Sequence, residues 1–209
     1  MRMASSEDTV FRVHDALHPT HQATGSGSAG ASGTGPAVSE RSQASPEEFR
    51  AALARLAAGV VLVSAHDPED GPRGEDVGMT ATAFLSVSLE PPLVLVSVRS
   101  ESRMGELLDR VDHWAVSVLA EGQRHIAGRF ALKGRVSDRL LFEDAGCTRG
   151  PESGAPLVDG ALATVECRTE QRVTAGDHTL VIGRVLAAKV PGQDGSPLLY
   201  FHSRYRGLA

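Results

Sequence analysis

The stretch from Met79 to Val98, MTATAFLSVSLEPPLVLVSV, constrains the fold of this chain more than any other segment. Its second half, Leu93 to Val98, is a run of aliphatic and β-branched residues behind the pair Pro91–Pro92, which predicts a buried strand that begins at a turn. Its first half interleaves hydroxyl side chains with small and apolar residues. Small residues let a flat ligand approach the backbone, and hydroxyls and free backbone N–H groups hydrogen-bond to a polar ring edge. Alternation alone equally indicates an ordinary half-exposed strand.

Charge and cysteine content argue against several classes of protein. The net charge is −5 over 209 residues, without a basic cluster, which disfavours a nucleic-acid-binding protein. Cys147 and Cys167 form no CxxC pair and have no metal-ligand pattern, so we expect free thiols in a reducing cytosol and no metal site, although a single disulfide between them stays open. Apolar runs are far shorter than the roughly 20 residues that span a bilayer. The N-terminus lacks a signal-peptide pattern, so the sequence predicts a cytoplasmic protein.

Residues 1–44 differ in composition from the rest of the chain. Residues 24–35 read TGSGSAGASGTG and offer too little apolar surface to offset the entropy of ordering them. We therefore predict a flexible low-complexity extension over residues 1–44 and one folded domain over residues 45–209. The extension contains a formal GxGxxG at residues 25–30, but no strand precedes it and no helix follows, so it does not indicate a dinucleotide site.

The folded domain begins with the helix-start signal Ser45-Pro46-Glu47-Glu48, which combines an N-cap, a proline at the first helical position and a capping-box glutamate. Further along, short strands with turn signals outnumber the helices, which predicts a β-rich domain, either a barrel or a sandwich. Residues 133–153 are polar and Gly-rich and are expected to be irregular. The predicted elements are a helix from Ser45 to about Ala58, strands at Val60–Val63, around Val77, at Leu93–Val98, Trp114–Leu119, Ala163–Cys167, Thr179–Ala188 and Pro197–Phe201, and short helices at Ser102–Arg110 and Gln123–Phe130.

The chain contains no GxSxG, HExxH, P-loop or paired-cysteine metal motif. The sequence therefore indicates neither a protein-borne nucleophile nor a metal centre. This fits an enzyme in which a cofactor performs the difficult step and the protein supplies orientation and electrostatics.

Four segments, taken in order, resemble the flavin reductase family. Members of this family are small NAD(P)H:flavin oxidoreductases. They are residues 79–98, the sequence AVSVLA at 115–120 with Gln123 following, GDHTLVIGRV at 176–185, and PLLYFHSRY at 197–205. The resemblance extends from about residue 45 to the C-terminus. It implies a β-rich α+β fold, an antiparallel Greek-key split β-barrel with a few flanking short helices.

The resemblance also implies roles for particular residues. Arg99, Ser100 and Ser102 are implied to meet the flavin phosphate at the start of a helix, a position that suits an anion, although a plain cap with surface charges is the alternative. Phe130 and Ala131 are implied to lie near the phosphate or ribityl chain, and a core role for Phe130 stays open. Flavin contacts within the first segment are implied for Thr80, Ala81, Thr82, Ala83, Ser86, Val87 and Ser88.

His178, in the Gly176-Asp177-His178 turn, is implied to lie at the nicotinamide side of the pocket, where it positions the ring; the alternative is a surface histidine satisfied by Asp177. The strand that follows offers Leu180, Ile182 and Val185 as core candidates.

The implied function is NAD(P)H-dependent reduction of FMN or FAD in a homodimer that supplies reduced flavin to a partner monooxygenase. The alternative is a flavin-binding protein of the same fold that is not a reductase, such as a tight electron carrier or an oxidase. The choices between FMN and FAD, and between NADH and NADPH, stay open at this point.

Overall fold

The structure is a computed structural model that describes residues 43–72, 74–132, 134–135, 137–191 and 195–208. The extension predicted for residues 1–44 therefore lies almost wholly outside the described residues. The helices are α1 (Pro46–Leu53), α2 (Arg103–Arg110), α3 (Arg124–Ala131) and α4 (Asp138–Ala145). The strands are β1 (Ala58–Gly59), β2 (Val61–Asp67), β3 (Glu75–Ala81), β4 (Phe84–Leu89), β5 (Pro92–Arg99), β6 (His113–Val118), β7 (Cys147–Arg149), β8 (Pro156–Val158), β9 (Ala163–Ala175), β10 (His178–Lys189), β11 (Leu199–Phe201) and β12 (Arg204–Arg206).

Helix α1 begins as the sequence predicts. The Ser45 hydroxyl accepts from the Glu48 N–H at 3.2 Å, and the Glu48 carboxylate accepts from the Ser45 N–H at 2.9 Å, which completes a capping box. The predicted end at about Ala58 is wrong. The helix ends at Leu53, after which the N–H groups of Arg55 and Leu56 each bond to a carbonyl three residues back, at 3.0 Å. Ala58 lies in β1 and pairs with Tyr200 of β11.

The main sheet has seven strands in the order β3-β2-β6-β9-β10-β5-β4, all antiparallel. Its two edge strands, β3 and β4, are consecutive in the chain and joined only by Thr82 and Ala83. In a flat sheet they would lie roughly 29 Å apart, at about 4.8 Å per strand. The connection from Ala81 to Phe84 reaches at most about 11 Å. The sheet must therefore be strongly curled, with its edges approaching each other at this link.

The inside of the curled sheet holds the larger hydrophobic cluster. Alternate residues of each strand point inward, as Val94, Val96 and Val98 do along β5. Helix α2 contributes Met104, Leu107 and Leu108 to the cluster and so closes part of the interior. Its other buried members are Val61, Val63, Ala65, Val77, Ala81, Trp114, Val116, Cys167 and Val181.

Helices cover one half of the outer face of the sheet. Helices α3 and α4 pack over β2 and β3, where Leu62, Ile126, Phe130 and Phe142 belong to a second hydrophobic cluster. The predicted short helix is present as α3, and its residues Ile126 and Phe130 are both buried. The expectation that residues 133–153 are irregular is wrong, because they include α4 and β7.

The other half of the outer face is left partly open to solvent by the described residues. We call it the bare face; its aliphatic residues are Leu85, Leu93, Leu95, Val173, Leu180 and Ile182. Leu95 pairs with Leu85 on one side and with Ile182 on the other, so the three share one surface. The prediction that Leu180 and Ile182 are core residues is therefore wrong. The buried residues of β10 are Val181 and Gly183. Only Val185 of the three candidates packs against the core.

No helix among the described residues is long and apolar enough to cross a membrane.

Candidate functional site

The candidate site lies at the end of the sheet where β5 finishes and β10 begins. Arg99, the last residue of β5, is directly opposite His178, the first residue of β10. Beyond this pair the chains stay linked, because the Ser100 N–H donates to the Asp177 carbonyl at 3.1 Å. Two residues that the sequence places nearly eighty positions apart therefore share one surface at this end of the ladder.

Asp177 joins the two side chains of that pair. Its Oδ1 lies 2.8 Å from Nδ1 of His178, and its Oδ2 lies 3.5 Å from Nη2 of Arg99. The hydrogen bond from His178 is the main reason that the pKa of the Asp177 carboxyl is lowered, and the Arg99 guanidinium adds to it. The carboxylate is thus ionised near neutral pH and acts only as an acceptor.

Two hydroxyls shape the start of α2 beside this pair. The Ser102 hydroxyl donates to the Arg99 carbonyl at 2.6 Å and accepts from the Gly105 N–H at 3.0 Å, so it is the N-cap predicted from the sequence. Gly105 is required here because a Cβ on it would lie only 2.3 Å from the Arg99 carbonyl oxygen. The Ser100 hydroxyl lies 3.0 Å from the Thr179 hydroxyl. The first turn of α2 is therefore held tightly against Arg99 and Ser100.

The link between β3 and β4 reaches the same region. The Ala83 carbonyl accepts from the Ser97 N–H at 3.0 Å, two residues before Arg99. Ala83 is exposed and Thr82 is half-buried, so both are accessible to a ligand. Ala81 and Thr80 are buried instead, and the Thr80 hydroxyl donates to the Ala127 carbonyl of α3 at 2.7 Å. Thr80 thus supports the link while its hydroxyl is engaged within the protein.

The structure does not bring Ser86, Val87 and Ser88 to this end of the sheet. Ser86 is paired with Val94, five residues before Arg99 on β5, which is roughly 16 Å at about 3.3 Å per residue. Val87 lies at a register shift between Ser86 and Ser88. In the single chain these three residues form a separate, largely exposed group.

Phe130 and Ala131 end α3. Phe130 is buried, with its ring 4.7 Å from that of Phe142, and Ala131 is half-buried. The core role left open for Phe130 is the one that its contacts support. Through the bond between Thr80 and Ala127, this helix end is attached to the strand that leads to Thr82 and Ala83.

One charged residue near the site was missed by the sequence reasoning. Asp138, fully buried at the start of α4, accepts from the Gly78 N–H of β3 and from Arg135 Nη2, both at 2.9 Å. Arg103, in the first turn of α2, lies 3.5 Å from the same carboxylate and 2.6 Å from Glu75. Asp138 therefore ties α4 and β3 to the start of α2. The signal in the sequence was Ser137-Asp138, an N-cap followed by an acid in the first turn.

A cavity in the described part of the chain lies away from this site. It has a volume of about 800 Å³ and is lined by Asp76, Arg139, Cys147, Arg149 and Asp159 among others, none of them a predicted site residue. Arg149 is bound through both terminal nitrogens to Asp76, at 2.6 and 2.9 Å. Size alone therefore does not identify the candidate site.

Both cysteines are free thiols, which leaves the single disulfide unformed. Burial raises the pKa of Cys147 to about 11 and that of Cys167 to about 12. Within the described ranges, no group of three or more His, Cys, Asp and Glu side chains is arranged to hold a metal ion.

Comparison with known proteins places this geometry in context. The family model "Flavin reductase like domain" matches residues 53–209. The reductase component of 4-hydroxyphenylacetate 3-monooxygenase from Thermus thermophilus is 39% identical over 162 residues, covering 78% of this chain and 96% of the relative. The NADH-dependent flavin reductase StyB from Pseudomonas fluorescens is 39% identical over 160 residues, covering 76% and 88%.

Solved structures agree with these sequence relatives. BorF, the flavin reductase component of a bacterial two-component tryptophan halogenase, superimposes with a TM-score of 0.70 at 37% identity, covering 78% of this chain and 98% of BorF. The NADH:FAD oxidoreductase SgcE6 from Streptomyces globisporus C-1027 has a TM-score of 0.70 at 34% identity, covering 80% and 97%.

Proposed function

This chain belongs to the flavin reductase family, and from that membership we propose that it uses NADH to reduce free FMN or FAD and supplies the reduced flavin to a partner monooxygenase. Relatives aligned over most of both chains are named NADH-dependent flavin reductases or reductase components of monooxygenases. The observation that carries the proposal is the pairing of His178 with Arg99 at the end of β5 and β10. It puts a candidate nicotinamide contact and a candidate phosphate contact side by side.

The donor groups at this end of the sheet fit a flavin mononucleotide unit. Arg99 keeps capacity for an anion, since its contact with Asp177 is long at 3.5 Å. Ser100 adds a hydroxyl, and Ser102 fixes the start of α2, whose positive end favours a phosphate. The small, accessible residues Thr82 and Ala83 suit the ring edge, with Thr80 and Ala81 behind them.

A bound flavin supplies the redox chemistry, since it accepts a hydride from the reduced nicotinamide. The task of the chain is to bind the two ring systems together and orient them. Holding two reactants in a reactive geometry contributes at most about 7–11 kcal/mol relative to free encounter. His178 is proposed to orient the nicotinamide, and backbone N–H groups near Thr82 and Ala83 are proposed to stabilise charge that develops on the flavin ring.

We propose that the bare face is the interface of a homodimer. Its aliphatic side chains Leu85, Leu95, Leu180 and Ile182 place no charge at its centre, so two copies can pack face to face without burying an unpaired charge. The row continues along β5 and β10 to Arg99 and His178, which would put the flavin site beside the interface.

The finer fold assignment, a Greek-key split barrel, is likewise a proposal that the curling of the sheet supports.

Light scattering after gel filtration tests the dimer. The expected mass is twice the chain mass of 22.0 kDa. Leu85→Asp, on the bare face, should give the monomer mass. Leu140→Asp, at a similarly exposed leucine on α4, should leave the mass unchanged. A monomeric wild-type protein, or dissociation by the Leu140 variant alone, contradicts the assignment.

Oxidation of NADH or NADPH at 340 nm, with FMN, FAD or riboflavin added in turn, tests the reaction. We expect oxidation that depends on added flavin, saturates with it and favours NADH. A yellow protein that retains flavin through gel filtration and does not oxidise either nucleotide would support the non-reductase alternative instead.

A cytoplasmic location is also proposed, which the free thiols Cys147 and Cys167 support.

A further inference from the structure

The carboxylate of Asp177 contacts two site residues, each through a different oxygen. Oδ1 is bonded to His178 Nδ1 at 2.8 Å, and Oδ2 faces Arg99 Nη2 at 3.5 Å. The backbone of Asp177 is itself fixed, because its carbonyl accepts from the Ser100 N–H and the preceding Gly176 adopts a φ of 64° in the turn. The backbone from which the carboxylate projects is therefore fixed by the β9–β10 hairpin.

This arrangement decides which nitrogen of His178 carries the proton. A carboxylate only accepts hydrogen bonds, so the imidazole nitrogen that faces it, Nδ1, must be the donor. In neutral histidine the other nitrogen, Nε2, then bears a lone pair and acts as an acceptor. The His178 side chain is 22% exposed, so part of the ring remains available to a ligand.

We propose that Asp177 is a positioning residue that holds His178 as a hydrogen-bond acceptor at Nε2, ready for an N–H donor such as the carboxamide of the nicotinamide. The inference rests on the proposed function for the identity of the donor. Without Asp177 the imidazole is free to place its proton on Nε2. A donor would then face the N–H group of the ligand, and the hydrogen bond would be lost.

The contact with Arg99 gives the same carboxylate a second, weaker effect. At 3.5 Å the carboxylate restricts the orientation of the guanidinium but leaves some of its N–H donors available. Loss of Asp177 should therefore affect nicotinamide binding through His178 far more than flavin binding through Arg99. This difference separates positioning of His178 from a general loosening of the turn.

Nitrogen-15 NMR of the ligand-free protein tests the tautomer directly, without any turnover. With histidine labelled at both ring nitrogens, wild-type His178 should show a protonated Nδ1 and an unprotonated Nε2 at a pH where the ring is neutral. Asp177→Asn keeps an amide oxygen that accepts from Nδ1, so the tautomer should persist. Asp177→Ala removes the acceptor and should shift the proton toward Nε2. An unchanged tautomer in Asp177→Ala overturns the inference.

Steady-state kinetics then tests the consequence. Asp177→Ala should raise the KM for NADH about tenfold, the loss expected for one net hydrogen bond. The KM for flavin should change by less than about threefold, and Asp177→Asn should stay near wild type. The double variant Asp177→Ala/His178→Ala should be no worse than His178→Ala alone, because the effect passes through His178. Equal effects on NADH and flavin, or additive effects in the double variant, contradict the inference. Absence of all turnover in the wild type would refute the proposed function while leaving the tautomer measurement intact.

Discussion

His178 lies directly opposite Arg99 in the antiparallel register of β5 and β10, and this pairing holds two candidate site residues at one end of the sheet. Both face the side of the sheet that carries the aliphatic bare face. The candidate site and the candidate dimer interface are therefore continuous.

Arg99→Ala should weaken binding of phosphorylated flavins selectively. A charge-assisted hydrogen bond to a phosphate contributes about 1.5–3 kcal/mol, so the KM for FMN should rise by about 10- to 150-fold. Riboflavin lacks the phosphate, and its KM should stay nearly constant. The comparison of FMN with riboflavin, measured on the same protein sample, is the internal control. An equal rise in KM for both flavins would show that Arg99 does not bind the phosphate.

Thr80→Val should lower stability while leaving flavin binding nearly intact. The Thr80 hydroxyl is buried and donates to the Ala127 carbonyl at 2.7 Å, so its removal costs about 1 kcal/mol of the free energy of unfolding. Urea denaturation measures that loss. Thr82→Val is the matched change at the accessible link and should alter stability by less than about 0.5 kcal/mol. A large rise in the flavin KM for Thr80→Val would show that its hydroxyl leaves Ala127 to contact the ligand.

Asp138→Ala should be among the most destabilising single changes. Asp138 is fully buried, and its loss leaves Arg135, whose side chain is 18% exposed, without its main partner. Breaking one side of a buried pair costs about 3–5 kcal/mol. Asp144, which is 62% exposed and ion-paired to Arg129, is the control, and Asp144→Ala should cost less than about 0.5 kcal/mol. Similar denaturation midpoints for the two variants would contradict the role given to Asp138.

Both thiols should resist alkylation in the folded protein. The thiolate is the reactive form, and at pH 8 a pKa of about 11 leaves Cys147 with a thiolate fraction about 200-fold below that of an ordinary thiol. Cys167 should be slower still, since it is buried and its pKa is about 12. Labelling with iodoacetamide, read by mass spectrometry, should find Cys147 modified first and both modified quickly in urea. Rapid labelling of Cys167 in the native protein would contradict its burial.

The sequence predicted the elements that carry a strong local signal. Ser102 was identified as the cap of α2, and β6 and α3 were each predicted to within one residue of their ends, because capping chemistry and periodicity are local. Helix α4 was missed because its turn-like surroundings hide a short helix. Its inward residues are Asp138 and Phe142, and a buried aspartate does not register as a core residue in a hydrophobic pattern.

The assignment of β10 shows why one strand face was chosen wrongly. Leu180 and Ile182 are aliphatic on one face and Val181 occupies the other, so both faces of the strand read as apolar. Alternation cannot select the buried face in such a strand. The segment from Thr80 to Ser88 presents a similar limit. Its residues are adjacent in sequence, yet they divide between the site and a group roughly 16 Å away, because the chain changes from β3 to the opposite edge strand β4.

We propose that this chain reduces flavin that it binds and then releases. Anaerobic mixing of a catalytic amount of protein with excess FMN or FAD and NADH, followed by flavin absorbance at 450 nm, tests it most directly. Each chain should bleach many equivalents of flavin, and the reduced flavin should be recovered in the filtrate of a membrane that retains the protein. Bleaching that stops at one equivalent and stays with the protein, or no bleaching above the rate without protein, would contradict it.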